Sequence, residues 1–494
     1  MCDLAQILAT VTDAATTILL TADAESDVTA PLSLPRVALL KVAHHGSADA
    51  GLPALLARLR PQVAVMEVGA HNTYGHPAPA TVAALDAQET DTTKVTRDAA
   101  ETLRQYDRQS EIVMLTDEPY PPYSPPAMAE YFSTGRKVHL WRGEDFPERM
   151  AVDYRPGSRV AALMPQDRAL RLENGQVLGY DRLVIATGGR LYAPLEGAGK
   201  PGVYNFKSLS SAEELLGLVR SGQARSALIV GAGFIGVEIG LLLADLGVSV
   251  TQLVRSRVMR SMLDPEMAGM VLDVMKARGI QVRHGDDADA VSFLGEERAV
   301  GVQMRSGAVL RADLLVAATG LRPNVEWLSG SGIDVGWGVL VDEHLRTNVP
   351  DVYAVGDVAE TRDRITGERY VHAIFPNAVA QGRLAAYNLL GWDLAYEGAD
   401  NMNSLKHLGM PIMAVGHMQG EELRVRRNGT LRTIYLQDDR IVGFRLAGDV
   451  RSAGVYLSLM NRREPVGAMR QRLLEPGFGM GFLESRTRSF SPVI

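Results

Sequence analysis

Three glycines near the middle of the chain have the spacing of a phosphate-binding turn. They occur in the run Gly231-Ala-Gly233-Phe-Ile-Gly236, between an apolar strand pattern at Ala227–Val230 and an apolar helix pattern at Phe234–Leu246. In that setting the first glycine permits a tight turn, the second lets a pyrophosphate approach the backbone, and the third lets helix pack on strand. The phosphates would then meet N–H groups at the positive end of the helix. The run predicts a nicotinamide dinucleotide site, with a purely structural glycine turn as the alternative.

The end of the next strand indicates which nicotinamide cofactor fits. Folds specific for NAD place Asp or Glu there, to accept a hydrogen bond from the ribose 2′-hydroxyl. This chain instead reads Leu253-Val-Arg255-Ser-Arg257. A guanidinium group suits a 2′-phosphate because it can donate two parallel hydrogen bonds. Arg255 therefore favours NADPH, and use of both nucleotides stays open.

Alternating strands and helices would position these residues from about residue 98 onward. Apolar runs predict buried strands at Ile112–Leu115, Arg182–Ala186, Ala227–Val230, Ser249–Leu253, Leu314–Ala318 and Val352–Val355. Several of them end in glycine turns, so ligands would lie at the carboxyl ends of a parallel sheet, which is an α/β fold. From about Asn401 the pattern changes to a hairpin, Leu431–Leu436 with Ile441–Ala447, and a helix at Ala453–Met460. This last segment is predicted to be a separate α+β module.

Composition limits the remaining possibilities. A chain of 494 residues with 46% hydrophobic and 22% charged residues is typical of a globular protein of two to four domains. A net charge of −7 argues against a general nucleic-acid binder. The sequence has neither a signal-peptide pattern nor an apolar run long enough to span a membrane, so a cytoplasmic location is expected. Cys2 is the only cysteine, which excludes an intramolecular disulfide, a redox cysteine pair and a thiolate zinc site.

Arginines gather late in the chain. They are Arg424, Arg426, Arg427, Arg462, Arg463, Arg470 and Arg472. Such a group is commonly a solvated face, and the alternative is a docking patch for an acidic partner protein.

Six motifs follow one another between about residue 98 and the end of the chain. They are Leu115–Ser124, Ile185–Gly188, Gly231–Glu238, Ala318–Asn324, Tyr353–Asp357 and Pro376–Gly382. Together they resemble the FAD- and NAD(P)-dependent pyridine nucleotide oxidoreductases, and they are most similar to rubredoxin reductases and the flavin half of assimilatory nitrite reductases. The resemblance implies two Rossmann-like domains: an FAD-binding domain at 98–222 and 311–392, interrupted by an NAD(P)-binding domain at 223–310. A C-terminal interface domain would follow at 400–494.

The resemblance also implies an activity and its cofactors. Electrons would pass from NAD(P)H through FAD to an external acceptor, such as rubredoxin, another iron–sulfur protein or a quinone-like molecule. Glu238 would help to place the nicotinamide carboxamide, and Gly320 would contact the same nucleotide. Asp357 would bind a ribityl hydroxyl of FAD, or cap a helix, and Asp117 would bind the FAD adenosine ribose, or lie in a surface turn. The other residues implied to hold FAD are Ser124, Thr187, Gly188 and Gly356.

Some family features have no counterpart in the sequence. The first strand and GxGxxG of the FAD domain, which cradle the FAD pyrophosphate, are absent before Asp98. Losing two or three phosphate hydrogen bonds would cost about 3–6 kcal/mol. Pro125 stands where many relatives carry arginine. The run Val63–Val68 could take the place of the missing first strand of the FAD domain, but the glycines that follow it do not have the GxGxxG spacing. A chimeric or truncated protein that binds NAD(P) without flavin chemistry is therefore the main alternative.

Residues 1–97 have a different character. Three runs resemble the carboxyl part of a metallo-β-lactamase domain of the competence-protein type: Leu19–Asp23, Val42–Ser47 and Gly69–Pro77. In that fold Asp23, His45 and His76 would lie at or near the metal, because carboxylate and imidazole suit zinc or manganese. The HxHxDH segment that supplies most ligands is absent, so no metal centre is predicted and a metal-dependent hydrolase is the less favoured function. A homodimer is left open.

Overall fold

A computed structural model gives the chain's architecture. It describes residues 9–12, 17–20, 39–41, 63–65, 95–123, 125, 128–134, 145–204, 206–405 and 408–479. The chain divides into two compact units, Met1–Asp91 and Thr92–Ile494. The sequence placed this division near residue 97, a few residues later.

The first unit contains a four-stranded sheet. Its first two strands are antiparallel and the rest are parallel, in the order Ala9–Thr12, Thr17–Leu20, Leu39–Lys41, Val63–Val65. The candidate metal ligands Asp23, His45 and His76 lie outside the described residues. The resemblance of this segment to a metallo-β-lactamase fragment therefore stays a prediction.

A five-stranded parallel sheet forms the core around the glycine turn. Its strands lie in the order Val203–Tyr204, Leu314–Ala317, Ser226–Val230, Ser249–Val254, Gln281–His284. One face is covered by the helices Leu209–Arg220, Phe234–Asp245 and Pro265–Ala277. The other face packs on an antiparallel sheet of Ala290–Leu294, Gly301–Met304 and Val309–Arg311. Burial on both faces explains why the sequence of the central strands is continuously apolar.

This sheet corrects one predicted domain boundary. The strand Leu314–Ala317 was assigned to the FAD-binding range that resumes at residue 311, yet it pairs in register with Ala227–Val230 inside the central sheet. Val203–Tyr204 also joins the sheet from outside the predicted range 223–310. The boundary was wrong because a short apolar strand carries no local signal of its long-range partner.

The part predicted to bind FAD contains two separate parallel strand pairs. Ile112–Leu115 pairs with Val152–Arg155, and Leu183–Ile185 pairs with Val352–Ala354. The helices Val95–Tyr106 and Phe375–Leu389 pack against each other beside them. Within the described ranges, no strand joins one pair to the other.

Smaller elements complete this part of the chain. The antiparallel ribbon Gly189–Tyr192 with Gly320–Pro323 connects it to the central sheet. Two three-stranded sheets are also present. The first consists of Val160–Met164, Ala169–Leu172 and Val177–Gly179. The second consists of Val339–Leu340, Ala359–Arg362 and Arg369–Tyr370. Two short helices occur at Met128–Thr134 and Phe146–Arg149.

The C-terminal segment forms the predicted α+β module. Its antiparallel strands lie in the order Met402–Leu405, Ile412–Gly416, Arg440–Ala447, Thr430–Gln437, Glu421–Arg427, followed by the helix Ala453–Asn461. The predicted hairpin turns at Asp438 and Asp439, whose φ angles of +48° and +59° suit a two-residue turn. Across the described residues, no helix has the length and apolar content needed to cross a membrane.

Candidate functional site

The glycine turn has the geometry that its spacing predicts. Gly231 has a φ of +108°, and a Cβ there would lie 2.3 Å from the carbonyl oxygen of Ala318. A Cβ on Gly236 would lie 2.9 Å from the Gly231 carbonyl oxygen. Gly233, in contrast, has nothing within 4 Å of its missing Cβ and begins the helix Phe234–Asp245 without a side-chain cap. The two flanking glycines are thus required by packing, whereas Gly233 leaves space for an anion at the helix N-terminus.

One cavity brings most of the predicted site residues together. Its volume is about 3020 Å³, well above the roughly 300–1,000 Å³ of an ordinary small-molecule pocket. The predicted residues that line it are Gly233, Glu238, Gly320, Asp117, Thr187, Gly188, Gly356 and Asp357. The candidate nicotinamide and flavin residues therefore share a single cavity, which is large enough for two extended ligands.

The other predicted residues lie elsewhere. Gly231 and Gly236 pack beneath the turn rather than on the cavity wall. Arg255 is exposed just beyond the end of the strand Ser249–Val254. Arg257 instead donates hydrogen bonds to the carbonyl oxygens of Arg260 and Leu263, each at 3.0 Å. Ser124 lies outside the described residues.

Asp357 forms an ion pair that sequence reasoning missed. The Lys207 Nζ atom lies 2.7 Å from the Asp357 Oδ2 atom, and the two side chains are 18% and 17% exposed. Gly356, with a φ of +75°, donates its N–H to Gln381 Oε1 at 2.7 Å. Lys207 lies two residues before the helix that begins at Leu209, and no motif or spacing marks it in the sequence. The pair fixes the Asp357 carboxylate at the cavity wall.

Hydrogen bonds join the predicted motif that contains Thr187 to the one that contains Asn324, although these residues are 137 positions apart in the chain. The Thr187 Oγ1 atom donates to the Asn324 carbonyl oxygen at 3.0 Å, and the Asn324 side-chain amide donates to the Thr187 carbonyl oxygen at 2.9 Å. The Asn324 N–H also donates to the Gly188 carbonyl oxygen at 2.9 Å. Gly188 has a φ of +64°, which favours glycine. These bonds fix the loop that follows the strand Leu183–Ile185.

The carboxylate of Glu118, next to Asp117, organises another part of the cavity wall. The Glu118 side chain accepts hydrogen bonds from the Tyr123 hydroxyl at 3.0 Å, the Ser210 hydroxyl at 2.8 Å and the Leu209 N–H at 3.2 Å. Burial, together with the charge of Glu118, raises the pKa of Tyr123 far above its ordinary value, so the phenol stays protonated and donates. Asp117 itself is exposed, and its carboxylate lies 3.8 Å from Arg159. Glu118 is a structural anchor that the sequence reasoning did not single out.

The residues fit a nicotinamide dinucleotide well and FAD in part. At the glycine turn, open space, backbone N–H groups and the helix terminus converge, as a pyrophosphate requires. Asp357, Gly188 and Thr187 line the part of the cavity where FAD is expected. The two strand pairs beside it are unjoined, and a second glycine turn of this kind does not occur among the described residues. The predicted absence of the FAD pyrophosphate cradle stays a prediction.

Most of the late arginines make contacts within the chain. Arg424 and Arg426 bind Glu266 at 3.0 and 2.8 Å, which ties the C-terminal sheet to the helix Pro265–Ala277. Arg470 pairs with Glu421, and Arg463 donates to the Arg364 carbonyl oxygen at 3.0 Å. These contacts favour a structural role over a docking patch. A group of His, Cys, Asp and Glu side chains arranged to hold a metal ion is absent from the described part of the chain.

The chain is similar to several known proteins. Residues 46–382 match the family profile described as pyridine nucleotide-disulphide oxidoreductase. An assimilatory nitrate reductase electron transfer subunit of Bacillus subtilis is 25% identical over 77% of this chain and 49% of its own length. The chain thus spans about half of that relative. The epsilon subunit of an NADH-dependent phenylglyoxylate dehydrogenase of Aromatoleum evansii is 28% identical over 78% of this chain and 93% of its own length.

A solved structure has the same fold. A ferredoxin reductase from Rhodopseudomonas palustris is similar with a TM-score of 0.66 and 25% identity, over 74% of this chain and 93% of that one. The family match begins at residue 46, before the boundary near residue 97 at which the sequence predicts that the resemblance starts.

Proposed function

Because the chain belongs to the pyridine nucleotide-disulphide oxidoreductase family, we propose that it is an FAD-dependent NAD(P)H oxidoreductase that passes electrons to an external acceptor. The observation that carries this proposal is the shared cavity. Gly233 and Glu238 line it from the nucleotide side, and Thr187 and Asp357 line it from the side where FAD is expected. A reduced nicotinamide and a flavin placed by these residues would meet in this one cavity.

The chain's own residues would bind and orient the two groups. The N–H groups at Gly233 would hold the NAD(P) pyrophosphate, and half-buried Glu238 would place the carboxamide. Asp357, fixed by Lys207, would accept from a ribityl hydroxyl, and Asp117 would bind the adenosine ribose. When bound, FAD supplies the hydride and electron-transfer chemistry itself. The protein contributes position and electrostatics.

The acceptor is proposed to be a separate protein. With Cys2 as its only cysteine, the chain cannot pass electrons through a redox cysteine pair. The similar proteins include an electron transfer subunit and a ferredoxin reductase. An iron–sulfur protein such as rubredoxin or a ferredoxin is therefore the proposed partner. A cytoplasmic location and a homodimer belong to the same proposal.

The nucleotide is proposed to be NADPH, or either nucleotide. Exposed Arg255 supports a 2′-phosphate contact, and the strand that precedes it ends at Val254 without a carboxylate. One similar protein is named as NADH-dependent, which keeps dual use in the proposal.

A second candidate function is NAD(P) binding without flavin chemistry. It is favoured by the two unjoined strand pairs, which leave the FAD side of the cavity less complete than the nucleotide side. The purified full chain distinguishes the two candidates after incubation with FAD. The first candidate predicts retained FAD and reduction of an added ferredoxin or rubredoxin by NAD(P)H. A chain that binds NAD(P)H but retains no FAD and reduces neither acceptor supports the second.

A further inference from the structure

Three titratable side chains meet on the cavity wall away from the glycine turn. The Asp363 Oδ2 atom lies 3.1 Å from the Nε2 atom of His417 and 3.7 Å from the Nε2 atom of His372. All three residues line the large cavity. They come from the segment after the strand Ala359–Arg362 and from the C-terminal sheet, so the cluster forms where these two parts of the chain meet.

One carboxylate oxygen thus faces two imidazoles but binds only one of them. The contact with His417 is a hydrogen bond, whereas 3.7 Å to His372 exceeds hydrogen-bond length. The His372 Nε2 atom is buried and has no hydrogen-bond partner among the described residues. The other Asp363 oxygen accepts from the N–H groups of Ile365 and Thr366, each at 2.8 Å. The carboxylate is therefore held in place, and a small movement of the His372 ring would give the Asp363 Oδ2 atom a second imidazole partner.

Burial, rather than the surrounding charges, favours the neutral form of His372. Burial lowers the pKa of His372, aided by repulsion from His417 and opposed by attraction to Asp363 and Asp400. Burial alone would raise the pKa of Asp363, but hydrogen bonds from His417 and the backbone outweigh it and hold this pKa well below its usual range. Asp400 is itself paired with Arg364 at 2.9 Å, and Arg364 also pairs with Glu397. The ring of Tyr370 packs edge-on against His372.

We infer that Asp363, His372 and His417 form a proton-holding unit for the cavity. The inference rests on the proposed function. Oxidation of NAD(P)H yields NAD(P)⁺, two electrons and one proton, and an acceptor that takes only electrons leaves that proton behind. His372 takes up this proton and is stabilised by the adjacent Asp363 carboxylate. The unit then loses one proton to water through His417, whose side chain is 22% exposed against 8% for His372.

The unit can be tested without turnover. Imidazole signals of histidine-labelled full chain are followed by NMR as pH is varied, and His372→Gln and His417→Gln identify their signals by loss. In Asp363→Asn, the proton affinity of His372 should fall at least tenfold, because the attracting carboxylate is gone. His344→Gln is the matched control: its ring contacts the Leu394 carbonyl oxygen at 3.1 Å, so it should leave the His372 titration unchanged. An unchanged His372 titration in Asp363→Asn overturns the inference.

A kinetic comparison tests the role in turnover. With FAD-loaded chain and NAD(P)H, ferricyanide accepts electrons alone, whereas a quinone accepts electrons and protons together. His372→Gln should slow ferricyanide reduction at least fivefold, reduce its dependence on pH, and affect quinone reduction much less. Equal slowing with both acceptors would show a structural role only and contradict the inference. If neither the unaltered chain nor any variant reduces either acceptor, the proposed function fails. The NMR titration still decides in that case whether the three groups share a proton.

Discussion

Lys207 and Asp357 form a largely buried ion pair of 2.7 Å on the wall of the large cavity, although they are 150 positions apart in the chain. Asp357 is the residue expected to bind a ribityl hydroxyl of FAD. The pair joins the segment before the helix Leu209–Arg220 to the turn after the strand Val352–Ala354. It therefore fixes these two segments to each other at the cavity wall.

Replacing Lys207 by Met should weaken FAD binding and the fold together. The change leaves Asp357 without its cation in a site of low exposure, so we expect a loss of about 1–3 kcal/mol in the free energy of unfolding and roughly tenfold weaker FAD binding. Urea unfolding and FAD retention measure the two effects. The matched control is Arg462→Met, which breaks an exposed pair of 3.4 Å with Glu464 that does not line the cavity, and it should change neither quantity by more than about 0.5 kcal/mol. Equal effects of the two variants would contradict the proposed role of Lys207.

The glycine turn offers a matched pair of substitutions. Gly231→Ala should destabilise the fold by about 2–4 kcal/mol, because its φ is +108° and its new methyl group would lie 2.3 Å from a carbonyl oxygen. Gly233→Ala should leave stability almost unchanged, since its Cβ meets open space. It should instead weaken NAD(P)H binding at least tenfold, because the methyl group occupies the space left for the pyrophosphate. Unfolding curves and nucleotide titration separate these effects, and unimpaired NAD(P)H binding by Gly233→Ala would rule out this turn as the nucleotide site.

Arg255 should decide between the two nicotinamide cofactors. Arg255→Glu is expected to weaken NADPH binding by about 2 kcal/mol, because it removes a charge-assisted contact and adds repulsion to the 2′-phosphate. NADH binding should change much less. Arg311→Glu makes the same charge change on the exposed end of a strand in the small antiparallel sheet and should affect neither nucleotide. Equal losses of NADPH and NADH affinity in Arg255→Glu would remove the basis for an NADPH preference.

Asp363 should contribute most to stability above its ordinary pKa. Its pKa in the folded chain lies below the unfolded value of about 3.9, so its stabilisation is complete above that pH and is lost as pH falls toward the folded-state pKa. We expect Asp363→Asn to lower the free energy of unfolding by about 1–3 kcal/mol near neutral pH. That deficit should shrink as pH falls below about 4. Exposed Asp334→Asn is the control, and a deficit that stays constant in acid would argue against an ionised, hydrogen-bonded Asp363.

Local patterns predicted the elements of this fold that depend on neighbouring residues. The strand, glycine turn and helix from Ser226 to Asp245 follow from a continuous apolar run, backbone sterics and close helix–strand packing, all encoded within about twenty residues. The hairpin Thr430–Ala447 follows in the same way from two apolar runs joined by aspartates that tolerate positive φ. In both places the residues that determine the conformation are also those that adopt it.

Long-range partners could not be found in this way. The pairing of Leu314–Ala317 with Ala227–Val230 depends on which of several apolar strands lies alongside, and any parallel sheet would suit its sequence. Lys207 and the cluster of Asp363, His372 and His417 are likewise isolated polar residues in sequence, brought together only by the tertiary fold. The family resemblance indicated which cofactors the site would bind. It did not indicate the contacts of Lys207 and Asp363 that support the site.

The central claim is that one cavity holds a reduced nicotinamide against a flavin. The most direct measurement is an anaerobic titration of the FAD-loaded full chain with NADPH, and separately with NADH, while flavin absorbance is recorded. We expect about one equivalent of nucleotide to bleach the yellow colour. A chain that binds the nucleotide, as seen by quenching of nucleotide fluorescence, yet keeps its full flavin absorbance would contradict it.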